Sequence, residues 1–178
     1  MAGDGRLRLF CALRLPEEAL DTLVAWQAGQ LSGGRVVPRE NLHITLAFLG
    51  SRPEGDVPAI AGALAEAASR VGRIELTAEH YRETRTVGMV VLRDQEGSGA
   101  ALAGDLGARL EALGMYRREQ RPWLPHVTVL RYTRPPGLRP PVPELGQVVP
   151  SDAAVYISSL RPGGARYEVL EERGLGGR

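Results

Sequence analysis

Asn41-Leu42-His43-Ile44-Thr45-Leu46-Ala47-Phe48-Leu49 reads as an apolar strand interrupted by one histidine and one threonine, two positions apart. The same figure returns 83 residues later as Pro125-His126-Val127-Thr128-Val129. Side chains two apart in a strand share a face at a spacing of roughly 6.5 Å. Each histidine therefore points the same way as its threonine, while Ile44, Leu46, Val127 and Val129 point to the other side. Both stretches predict a strand with an apolar back and an imidazole and hydroxyl in front, and a cleft between two such strands would gather both pairs. A single His-x-Thr carries little information, because threonine is a good strand former. The repetition carries more: the chain has only three histidines and two of them occupy this pattern. His80 has no such partner and is read as a surface or structural residue.

On either side of these strands the punctuation is clear. Arg6 to Leu15 predicts a strand, and Pro16-Glu17-Glu18 opens a helix carrying Leu20, Leu23, Val24 and Leu31. Ser32-Gly33-Gly34 ends it, Val36-Val37 restarts an extended run, and the Asn41 strand is expected to close at Gly50 and Pro53. Helices are expected over residues 57–71 and 99–113, and strands over 74–78, 86–92 and 125–132. The turn Arg161-Pro162-Gly163-Gly164 joins strands 155–160 and 166–170 into a final hairpin. Five prolines within 134–143 predict an irregular surface loop, and 171–178 reads as a frayed tail. The rhythm is not that of a parallel sheet. The expected fold class is α+β, antiparallel sheets with helices packed outside, in one domain spanning 1–178.

Composition narrows the function classes. A net charge of +1, with 24% charged and 43% hydrophobic residues, excludes a disordered tail protein and supplies no global field for gripping long nucleic acid, so any such contact must be local. All 22 basic residues are arginine, which lowers the information in any one of them. Cys11, the single cysteine, sits in an apolar run and reads as a buried structural thiol. The opening Met1-Ala2-Gly3-Asp4 lacks a cationic segment followed by an apolar one, and no run of about 18 apolar residues occurs. No signal peptide or membrane span is expected, and the setting is read as cytoplasmic.

Two imidazoles facing a phosphodiester are chemically sufficient for acid/base work, because near neutral pH one can accept a proton while the other donates one. Neither histidine has a second His, Cys or carboxylate at ligand spacing, and Glu40 and Glu119 precede their strands, so neither a metal nor another cofactor is expected. No GxxxxGK[ST] loop is present, which removes P-loop nucleotide hydrolysis. Thr45 and Thr128 can donate hydroxyl hydrogen bonds to non-bridging phosphate oxygens.

With these residues in place, the sequence resembles the two-histidine (2H) phosphoesterases, and within them the RNA 2',3'-cyclic phosphodiesterases once named 2'-5' RNA ligases. The resemblance runs through Arg8-Leu9-Phe10-Cys11-Ala12-Leu13, residues 37–50, Arg121-Pro122-Trp123-Leu124-Pro125-His126-Val127-Thr128-Val129-Leu130-Arg131 and the closing hairpin. It implies a bilobal fold with pseudo-twofold symmetry, each lobe supplying one His-Thr strand to a central groove. It also implies RNA 3' ends bearing a 2',3'-cyclic phosphate as substrate, opened to a 2'-phosphate, with His126 as base, His43 as acid and a monomer as the acting unit. Arg131 matches a family arginine that would clamp phosphate, but it stands on the opposite parity from His126, so a bulge or strand end must intervene. Phe48 is read as core, with base stacking as the alternative. Trp123 and Tyr132 flank the second motif and could stack on the terminal nucleoside or simply pack. Arg117, Arg118, Arg121, Arg134 and Arg139 make the surrounding sequence basic. Competing readings are a 2H esterase or ligase acting on 2'-5' linkages or other cyclic nucleotides, and a non-catalytic RNA-end binder.

Overall fold

Leu9-Phe10-Cys11-Ala12-Leu13 offers no polar side for water, and the chain buries it on both faces. The computed structural model describes residues 5–176. In chain order it comprises β1 (Arg6–Leu13), α1 (Glu17–Gln30), β2 (Arg35–Val36), β3 (Ile44–Pro53), α2 (Val57–Arg70), β4 (Leu76–Glu83), β5 (Val87–Asp94), α3 (Ser98–Ala112), β6 (His126–Arg131), β7 (Asp152–Arg161) and β8 (Gly164–Gly174). The strands form two four-stranded antiparallel sheets, ordered β3-β1-β7-β8 and β2-β6-β5-β4. This is the expected α+β, two-sheet architecture. Strand β1 lies between β3 and β7, and sends Leu9, Cys11 and Leu13 into one core while Phe10 and Ala12 join Ala154 and Tyr156 on the other face.

One contiguous core joins the sheets and helices. Helix α2 presents Ile60, Ala61, Leu64, Ala67 and Ala68 along one face, and α3 presents Leu102, Leu106 and Leu110, every four residues. Helix α1 buries Gln27 at 2% exposure, a polar group that would be costly without partners. Its amide nitrogen donates to the carbonyls of both Val37 and Val129, at 3.0 Å each, and so locks α1 onto the end of β6. Burial pushes the Cys11 thiol up to about 12, which leaves it protonated and fits the structural reading. No helix among the described residues is long and apolar enough to cross a membrane.

Three expectations need correction. The Asn41 strand begins later and ends later: Arg39–Asn41 is a 3-10 turn, His43 stands at the threshold of β3, and the strand continues past Gly50. Gly50 adopts a φ of 68° opposite Leu9 and absorbs a register shift instead of ending the strand. Strand β4 starts at Leu76 and runs to Glu83 through residues whose polarity reads as loop; they tolerate water because β4 is an edge strand. The tail does not fray before Gly174, because β8 pairs with β7 as far as Asp152↔Gly174 and Gly176 N–H donates to the Ala68 carbonyl. Gly177 and Arg178, and the Met1–Asp4 opening, lie outside the described residues. The proline-rich segment is irregular as expected and is tied down: the Trp26 indole N–H donates to the Pro141 carbonyl at 2.8 Å, and Gly137 and Leu138 N–H groups donate to the Glu83 carboxylate.

Candidate active site

The two imidazoles are held in the same way. His43 Nδ1 lies 2.7 Å from the carbonyl oxygen of Asn41, and His126 Nδ1 lies 2.8 Å from that of Leu124, each two residues upstream. A carbonyl only accepts, so both Nδ1 atoms carry hydrogen and Nε2 of each ring is left to exchange protons. In the neutral His43 ring, Nε2 accepts from the Thr45 hydroxyl at 3.0 Å.

His43, Thr128 and Arg131 line one cavity of about 60 Å³, together with Arg35, Asn41 and Tyr167, and no carboxylate contributes to its described lining. Two arginines and an imidazole without an acidic partner make an anion site. His126 shares the face of Thr128: in the β5–β6 pairing they oppose Val91 and Met89, which form an apolar floor. Burial is the main reason the His43 ring is pushed down to about 4; the Asn41 carbonyl opposes this, and the positive charges of His126 and Arg131 add to it. The charge of the second-lobe histidine thus acts directly on the first-lobe histidine.

Two bulges bring more of the motif to the groove. In β3, Thr45 pairs with Ala12 and Ala47 with Cys11, leaving Leu46 unpaired; in β6, Thr128 pairs with Met89 and Leu130 with Gly88, leaving Val129 unpaired. An extra residue resets the alternation of the strand. After it, Ala47 is buried with the core and Phe48 lies opposite Phe10, and in β6 Arg131 reaches the cavity of Thr128. The intervening bulge that Arg131 required is present, and the core reading of Phe48 is overturned: the side chain is 49% exposed, with the Arg8 guanidinium 4.9 Å from its ring centre.

Sequence reasoning missed the aromatic wall around His43. Phe10 lies 4.9 Å from the imidazole, 5.0 Å from both Tyr156 and Tyr167 and 6.5 Å from Phe48, centre to centre, and Tyr167 meets His43 edge-on at 5.4 Å. Phe10 was hidden in an apolar run, and the tyrosines lie more than a hundred residues away in the closing hairpin. The available signal was the pairing of β1 with both neighbours. Arg35 and Asn41 were also missed. Arg35 donates to the Gly163 carbonyl at 2.7 Å and Asn41 Nδ2 to the Ala165 carbonyl at 2.8 Å, so both fasten the hairpin tip beside the cavity.

Trp123 and Tyr132 both make packing contacts, one of the two readings open to them. Tyr132 is buried, and its hydroxyl lies within hydrogen-bond reach of the carbonyls of Thr84 and Val87. Trp123 packs against the core and donates its indole N–H to the Thr45 carbonyl at 3.0 Å, bracing the first His-Thr strand from the second lobe's connection. Its ring rests on Gly99 of α3, where a Cβ would lie 2.7 Å from ring carbon Cζ3. Gly99→Ala should therefore lower stability: the helix-propensity gain of about 1 kcal/mol is outweighed by overpacking of about 1–3 kcal/mol against a rigid ring. A lowered thermal midpoint accompanied by altered tryptophan fluorescence is the expected result.

Among the described residues, no three His, Cys, Asp or Glu side chains gather as a metal site. The cavity thus brings together one imidazole, two arginine side chains and the Thr128 hydroxyl, with His126 on the strand face of Thr128. The family described as LigT like Phosphoesterase matches residues 13–82. The RNA 2',3'-cyclic phosphodiesterase of Thermus thermophilus is 34% identical over 183 aligned residues, covering 96% of this chain and 91% of the relative. That of Escherichia coli is 28% identical over 173, covering 94% and 96%. The crystal structure of E. coli LigT complexed with 3'-AMP superposes with a TM-score of 0.82 at 26% identity, covering 96% of this chain and 99% of that one.

Proposed function

The chain belongs to the LigT-like phosphoesterase family, and from that premise we propose that it is an RNA 2',3'-cyclic phosphodiesterase that opens a 2',3'-cyclic phosphate end to a 2'-phosphomonoester by metal-independent two-histidine catalysis. The observation that carries this reading is the pair of identically tethered imidazoles, His43 lining a cavity with no carboxylate in its described lining and His126 on the strand face of Thr128, which lines the same cavity. His126 Nε2 takes a proton from water as its oxygen attacks phosphorus in line. The bond from phosphorus to O3' breaks, and His43 Nε2 delivers a proton to that oxygen. The new P–O bond leaves a 2'-phosphate and a free 3'-hydroxyl.

His43 is neutral in the ligand-free groove, its ring held near pH 4 chiefly by burial. An anionic phosphate against Nε2 and Arg131 favours the charged ring, so the acid is loaded together with the substrate. Thr45, Thr128 and Arg131 hold the non-bridging oxygens and offset charge that builds in the transition state. Phe48, half-exposed on the groove side of β3, supplies an aromatic surface for the terminal base. Both His-Thr strands belong to one chain, which supports a monomer of one two-lobed domain as the acting unit, and a cytoplasmic setting goes with this reading.

The test is a short RNA ending in a 2',3'-cyclic phosphate, incubated with the protein in excess EDTA and followed by phosphorus NMR. Conversion to the 2'-phosphomonoester is expected. A strict metal requirement would reject the mechanism, opening of 2'-5' linkages alone would move the reaction to that linkage, and binding without turnover would leave an RNA-end binder.

A further inference from the structure

Beyond Phe48 the molecule holds a basin of about 510 Å³, within the size range of small-ligand pockets. It lies between the outer half of β3 and the connection that follows α3, and is lined by Phe48, Arg52, Met115, Tyr116, Arg117 and Glu119, among others. The catalytic cavity is elsewhere: the two share no lining residue. A row of rings links them, from His43 to Phe10 at 4.9 Å and from Phe10 to Phe48 at 6.5 Å, with those two rings inclined by only 17°. Phe48 thus stands at the end of the aromatic wall and at the rim of the basin.

The basin's chemistry is mixed in a way that suits a nucleotide. Arg52 is committed to Asp56, through contacts of 3.0 and 2.6 Å to one carboxylate oxygen. Arg118, its neighbour in the basic connection, is committed to Glu111. Arg117 has no ion pair among the described residues and faces the basin, and Arg8, also without one, covers the Phe48 ring. The half-buried Tyr116 supplies an aromatic surface, and the Glu119 carboxylate can accept from an exocyclic amino group of a base. Cations, aromatic surface and an acceptor, linked to the groove by the row of rings, favour single-stranded nucleic acid over an apolar peptide.

We propose that this basin is a second nucleotide subsite, which takes the nucleotide preceding the cyclic-phosphate terminus, with Arg117 and Arg8 on the linking phosphate. The inference rests on the cyclic phosphodiesterase reading above. It makes the enzyme an oligonucleotide enzyme in its recognition, with mononucleotides as truncated substrates.

The test compares kcat/KM for a nucleoside 2',3'-cyclic phosphate with that for the dinucleotide ending in the same nucleoside 2',3'-cyclic phosphate. In the wild-type protein the dinucleotide is expected to be favoured about tenfold, mainly through KM, the scale of one added stacked base. In Arg117→Ala, an exposed position where folding is not at stake, the dinucleotide-to-mononucleotide ratio should fall several-fold, and in Arg117→Glu it should approach one. A wild-type ratio below about two overturns the subsite while leaving the reaction intact. A large ratio that neither substitution changes overturns its location. Turnover of neither substrate overturns the reading of the reaction and the subsite with it.

Discussion

His126→Ala and His43→Ala should each lower kcat/KM for an RNA ending in a 2',3'-cyclic phosphate by about 10²–10⁴-fold, the range in which one positioned proton-transfer group contributes. The double substitution should cost far less than the product of the two, because the rings act on one transition state. The two roles can be separated with an aryl phosphodiester whose phenolate departs without a proton. On that substrate the His43→Ala loss should shrink while the His126→Ala loss persists. The opposite pattern would exchange acid and base. Survival of full activity in both single variants would reject the mechanism; among the described residues, the only titratable side chains lining the cavity with His43 are arginines and Tyr167.

The second large effect concerns stability. In the unfolded chain the His43 ring protonates near 6.5, whereas in the folded, ligand-free groove burial holds it to about 4. Between these values the unfolded state binds the proton that the folded state refuses, so stability falls as pH is lowered from about 6.5 to about 4, and the contribution of this ring levels off below that. A fully enclosed ring would carry about 3 kcal/mol over that window; the opening toward the groove brings the expected figure to about 2 kcal/mol. Denaturant unfolding at pH 7 and pH 4.5 measures it. His43→Gln, which cannot titrate, should flatten that part of the profile, and an unchanged slope would show that the ring is freely solvated.

Much of this was legible because the decisive pattern is local. His126-x-Thr128 lies within β6 and His43-x-Thr45 begins one residue before β3, so alternation alone puts each pair on one side, and the breaks at Pro16, Gly33-Gly34 and Pro162-Gly163 mark element ends by backbone geometry. What was not legible depends on partners far away in the chain. Phe48 reads as core under strict alternation, and only the register against β1 shows Leu46 to be unpaired. Tyr132 has a polar tip beside the motif, yet its hydroxyl is satisfied by carbonyls of the β4–β5 turn, 45 and 48 residues upstream. Trp123 likewise finds its acceptor on β3. Residues 171–174 look like a tail because Glu171, Glu172 and Arg173 are charged, and they extend a strand because β7 is long enough to pair them.

The unpaired residue after each threonine limits how these segments can vary. Straightening either bulge, so that Leu46 or Val129 took a place in simple two-residue alternation, would turn Phe48 or Arg131 into hydrocarbon and draw Ala47 or Leu130 out to water. Within these two stretches the path of the backbone is under tighter constraint than chemical identity: a methylene more or less is an adjustment, whereas a flattened bulge reverses every side chain beyond it.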